Sequence, residues 1–140
     1  MQKTFLFTIV CVIINFTGNS QVHEEQEILL IKPTKKEQVY NNDMVDEKAI
    51  FKGGDSKLFK FYKNNSKFKI KDFEIPNKST YFKLYIDCDG NVYSHKIIKS
   101  ISVNHDKEVE KLVSLMPKWK PAKNNNKLVK VVLIDYITFQ

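Results

Sequence analysis

A chain of 140 residues has room for one domain and a short tail, and with 42% hydrophobic and 12% aromatic residues it is rich enough in core formers to argue against wholesale disorder. Its formal charge of +7 rests on 23 basic residues, all of them Lys. Without the planar fork of Arg, sequence-specific reading of nucleic acid is not expected, and abundant Lys and Asn read as coding bias.

The chain opens like a targeting segment. Lys3 supplies a positive start, residues 5–16 are an apolar run, and Gly18 and Ser20 place small residues where a signal peptidase would cut before Gln21. The run falls short of the roughly 20 residues a spanning helix needs, so residues 1–20 are assigned to a signal peptide, with an uncleaved inner-membrane anchor as the alternative. Cys11 lacks the small preceding residue that lipidation requires. Cleavage would leave Cys88 as the single thiol, so no internal disulfide is available to hold the fold. Residues 21–48 are polar, with one short apolar run at 28–31 stopped by Pro33, and read as a tail or linker.

An organised domain is expected over 49–140. Asp55 is the expected N-cap of a first helix, in which Leu58, Phe59, Phe61 and Tyr62 share one face and Lys57, Lys60 and Lys63 the other. Residues 80–88 alternate, Phe82, Leu84 and Ile86 against Tyr81, Lys83, Tyr85 and Asp87, as a half-buried strand does. Asp89-Gly90 makes a hairpin turn into a returning strand over 92–101. The surrounding acidic run lacks the downstream Glu of a calcium loop, so turn chemistry is preferred. A second helix, 106–116, carries the stripe Val109, Leu112, Val113 and Met116 and is closed by Pro117. Trp119 after it is expected to plug the core, and 128–139 reads as the last strand. This order predicts an α+β fold, a three-stranded antiparallel sheet with two helices packed on one face.

At these residues a family resemblance is visible. Phe51-Lys52-Gly53-Gly54 is similar to the F-x-G-G lead-in of the first helix in TonB C-terminal domains, and Asp87-Cys88-Asp89-Gly90-Asn91-Val92 to their D-x-D-G-x-V hairpin. Ile97-Ile98-Lys99-Ser100 resembles the following strand, and Met116-Pro117-Lys118-Trp119-Lys120-Pro121 the M-P-x-W-x-P exit from the second helix. The chain departs from the pattern where Ala49, Lys52 and Leu128 replace common prolines and Ala122 and Asn126 common glycines. It has four prolines and no Pro-rich arm. A tail of residues 21–49 could reach about 100 Å at most, so energy transduction by this chain is not expected.

The resemblance implies a periplasmic binding module that pairs its last strand with an extended peptide, for instance a segment of a TonB-dependent outer-membrane receptor. The candidate edge is Val129, Lys130, Val131, Val132, Leu133, Ile134, Asp135, Tyr136 and Ile137. The alternative is a self-associating or structural envelope subunit, such as a homodimer, using the same edge. An enzyme is not expected: His23, His95 and His105 show no metal-ligand spacing, and no nucleophile falls into a catalytic signature. No cofactor, metal or small-molecule substrate is assigned.

Overall fold

In chain order, the computed structural model, which describes residues 37–140, comprises β1 (Val39–Asn41), a 3-10 turn (Asn42–Met44), α1 (Asp55–Asn65), β2 (Ile70–Lys71), β3 (Ser79–Ile86), β4 (Val92–Lys99), α2 (Val103–Ser114), β5 (Ala122–Asn124) and β6 (Lys127–Phe139). The fold is α+β. The proposed signal peptide, the run at 28–31, Cys11 and His23 lie outside the described residues.

Alternation decides where the sheet turns its apolar side. Phe82, Leu84 and Ile86 in β3 are fully buried, and they stand opposite Asp135, Leu133 and Val131 of β6 on the same face. Against that face pack Leu58 and Tyr62 of α1 and Val109, Leu112 and Val113 of α2. Each such aliphatic or aromatic side chain stabilises the fold by about 1.5–3 kcal/mol when fully buried. Lys57, Lys60 and Lys63 are exposed.

The sheet has six strands rather than three, and it is mixed. The main path runs β1-β6-β3-β4, with β3 antiparallel to both neighbours and β1 parallel to β6. β2 pairs antiparallel with the end of β6, and β5 forms a hairpin with its start around Asn125 and Asn126, both at positive φ. Residues 37–48, assigned to the tail on sequence, belong to the same compact unit as the rest of the described residues. Asn42 fastens this stretch: it is buried, its side-chain oxygen accepts from Ala49 N–H at 2.7 Å, and its amide donates to Ala49 O at 3.1 Å.

The helix starts also differ from expectation. Gly53 and Gly54 both hold positive φ, and Gly54 is the N-cap position, so Asp55 sits one residue inside α1. There its charge still favours the N-terminal dipole. α2 begins at Val103, because the Ser102 hydroxyl caps it and meets His105 Nδ1 at 2.8 Å.

Glu108 ties α2 to the segment that follows α1. Its Oε1 accepts from the backbone N–H of Lys67 at 2.8 Å and from Lys111 Nζ at 2.6 Å. The side chain is fully buried. Desolvation alone would raise its pKa, but the Lys111 ammonium and the Lys67 N–H outweigh it and hold it below the usual carboxylate range.

Candidate functional site

The chemistry of the hairpin loop is local. Asp87 Oδ1 accepts from the N–H groups of Asp89 and Asn91, each at 2.9 Å, and Oδ2 accepts from the Asn91 amide at 3.0 Å. Desolvation pushes the Asp87 pKa up, but those bonds, with nearby Lys118, bring it below its ordinary value. The carboxylate is thus committed to an Asx turn. Gly90 sits under Trp119, whose N–H donates to Gly90 O at 2.8 Å. Trp119 is buried and meets Phe51 edge-on at 5.5 Å, while Pro117 is exposed and Pro121 half-buried in the same loop. Half-buried Cys88 lies against Leu128 O, and His95 faces the core side opposite Leu84.

The last strand is not an open edge over 129–137. On the side away from β3, Lys130, Val131 and Val132 are paired by β1, and Thr138 and Phe139 by β2. Val129 is engaged with Ala122 of β5. Lys130 also forms an ion pair with Glu37. Two short strands supplied by distant stretches of sequence therefore cover the flanks. What remains is a gap at Leu133, Ile134, Asp135, Tyr136 and Ile137.

The direction of the free groups in that gap follows from the strand's end. Phe139 N–H donates to Lys78 O, on the β3 side, while Gln140 N–H donates to Lys69 O, on the β2 side. Alternation then turns the N–H and C=O of Ile134 and Tyr136 outward, where no strand among the described residues pairs them. A cleft of about 650 Å³ opens onto this edge, lined by Asn41, Lys48, Ile50, Trp119 and residues 132–135. A smaller one, bounded by Phe59, Tyr62, Lys71, Tyr136 and Ile137, continues it, and Asp55 and Leu58 of α1 border both. The result is a groove along the gap with α1 as its wall.

Asp135 is the one carboxylate in β6, on the core-side face of the strand. Tyr62 donates to its Oδ2 at 2.6 Å, and its Oδ1 accepts from the N–H of Tyr136 at 2.8 Å. It therefore occupies one of the outward edge donors, and an inward-pointing charge is a known way of blunting an unpaired strand edge. Burial raises its pKa, and Asp55 adds to the shift, against the lowering effect of the two hydrogen bonds. Burial and the Asp135 charge likewise hold the Tyr62 hydroxyl well above its ordinary pKa, so it is a neutral donor.

The sign of the Asp135 effect is testable. A carboxyl whose pKa is higher in the folded state costs stability when ionised, and that cost disappears as pH falls through the raised value. Asp135→Asn is therefore expected to raise Tm at neutral pH, and the gain should vanish in acid, below the ordinary Asp range. A Tm profile of both proteins against pH checks it.

Sequence reasoning placed the candidate edge on this strand but did not include Tyr62 or the wall of the groove. The signal for Tyr62 was present, as a hydroxyl on an otherwise apolar stripe needs a buried acceptor. Among the described residues no helix is long and apolar enough to cross a membrane, and no cluster of potential metal ligands is found. Comparison of the chain with family models, with curated proteins and with solved structures gives no match.

Proposed function

We propose that this domain is a peptide-binding module that takes an extended segment of a partner protein by strand addition at residues 133–137 of β6. The observation that carries the reading is the gap itself: outward backbone groups of Ile134 and Tyr136, left between β1 and β2, open into a groove lined by both apolar and polar side chains. Main-chain hydrogen bonds would supply affinity, and the groove beside α1 would select alternate side chains. The gap sets the length, since a strand entering it must fit between β1 and β2 and so pairs over about five residues.

The four TonB-like motifs support an envelope setting, with a periplasmic domain exported by the N-terminal segment and a receptor segment as partner. In that setting the module works without transducing energy. Self-association is the second reading, and the edge that favours it is β4, which among the described residues pairs with β3 alone. β4 is broken by two register shifts and carries Lys96 and Lys99, features that discourage edge pairing.

Capture from envelope extract, followed by overlapping peptides of each captured protein, tests the proposal. A short unstructured segment should bind with the affinity of the whole partner. Binding that requires a folded partner domain, with no active peptide, would sink strand addition.

A further inference from the structure

Among the described residues no element covers the sheet face turned away from the helices, and its composition is unusual. Strand pairing sets its rows across β6, β3 and β4: Tyr136, Tyr81 and Lys99; then Ile134, Lys83 and Lys96; then Val132, Tyr85 and Ser94. Tyr93 completes the lower end, its ring 6.1 Å from that of Tyr85 and capped by Lys130 Nζ at 5.1 Å. At the upper end the rings of Tyr81 and Tyr136 are 5.9 Å apart, and Lys99 Nζ stands 5.4 Å from the centre of Tyr81. Among the described residues, the acidic side chains touching this face are Glu37, on Lys130, and Glu74, on the Tyr81 hydroxyl.

The middle row carries the argument. Lys83 and Lys96 are direct cross-strand neighbours, an arrangement that destabilises a sheet because like charges face each other. Neither forms an ion pair among the described residues. Next to them Ile134 is 64% exposed. A repelling lysine pair beside a bare aliphatic side chain, between two pairs of tyrosines, weakens an isolated domain and suits an external anionic surface.

We propose that this face docks flat against an anionic lipid surface. The lysines would meet headgroup phosphates, their stems and the tyrosine rings would lie at the interfacial level, and Ile134 and Val132 would gain apolar contact. A nucleic-acid strand would use the lysines and rings but gains little from an exposed Ile. This surface adjoins the peptide groove, whose lining includes Lys83, Val132 and Ile134; strand addition uses the β6 backbone edge, and docking uses the side chains of the outer face.

The test uses the full chain and vesicles of phosphatidylcholine with or without phosphatidylglycerol. The apolar run at 5–16 is common to every variant, so the readout is the ratio of binding to the two vesicle types. Binding should favour phosphatidylglycerol and weaken with added salt. Each lysine at such a surface is worth about fivefold in affinity. Lys83→Gln/Lys96→Gln/Lys99→Gln should therefore lower the ratio at least about tenfold, whereas Lys57→Gln/Lys60→Gln/Lys63→Gln on α1, with the same change in net charge, should leave it within a few fold. Lys83→Gln alone should raise Tm while weakening vesicle binding, opposite signs that a purely structural role would not give. Equal losses in both triple variants, no preference for phosphatidylglycerol, or tighter capture by an oligothymidylate than by vesicles would each overturn the proposal.

Discussion

Gly90→Ala is expected to destabilise the domain by about 4 kcal/mol or more, a loss at the far end of what single substitutions cause. Two causes add. Gly90 has φ +85, where an L side chain is strained, and an added Cβ would lie 2.1 Å from the carbonyl oxygen of Trp119. That oxygen belongs to backbone fixed by the buried Trp119 ring and by the Trp119 N–H bond to Gly90 O, so it has little room to yield. Gly54 is the internal control. It also has positive φ (+75, with ψ −172), but nothing lies within 4 Å of its Cβ position, so Gly54→Ala should cost only the backbone strain, about 1–3 kcal/mol. Domains of this kind are stable by about 5–15 kcal/mol, so the first variant should approach unfolding and the second should not. Urea midpoints of the two proteins measure the difference. Equal midpoints would mean that the contact with Trp119 relaxes freely.

Trp119→Ala should cost about 3–5 kcal/mol, as expected for emptying a large buried aromatic site. The ring is 6% exposed and packs edge-on against Phe51, which in turn meets Phe61 of α1 at 5.6 Å. Its loss would loosen the segment carrying Gly53 and Gly54 as well as the hairpin loop. Trp119 Nε1 is buried with no hydrogen-bond partner among the described residues, and an orphaned polar group of that kind costs about 1–3 kcal/mol. Trp119→Phe should therefore be cheaper than its lost volume alone suggests. Chemical denaturation of the two variants separates the packing contribution from the cost of the orphan.

What was legible in the sequence was what local chemistry dictates. The alternation of Phe82, Leu84 and Ile86, the stripe of Val109, Leu112 and Val113, and the Asp89-Gly90 turn each fix an element through a few adjacent residues, and the structure has β3, α2 and the hairpin there. β1 and β2 carry no such pattern. Val39-Tyr40-Asn41 and Ile70-Lys71 are too short for periodicity, and they become strands only because β6, about 70–90 residues away along the chain, offers unpaired backbone groups. The same long-range pairing narrows the candidate site. Sequence could place a long apolar strand at the end of the chain, but not the two fragments that cover its flanks. Nor could it show that Asp135, which interrupts the apolar pattern, meets Tyr62 from α1. The departure from pattern was visible, while the contact that accounts for it is tertiary.

The central claim is that a partner strand pairs with the outward backbone of β6 at its gap, and the most direct measurement is to remove one donor there. Ile134→Pro deletes the outward N–H without removing a β3–β6 ladder donor, since Leu133 and Asp135 face β3. An ester in place of the same amide removes the donor without adding a ring. Both proteins should give the circular dichroism of the parent and fail to bind the peptide identified by capture. A Tyr136 ester should have a smaller effect, because Asp135 already holds that N–H. Peptide binding at parental affinity by the folded Ile134 ester would contradict strand addition at this edge.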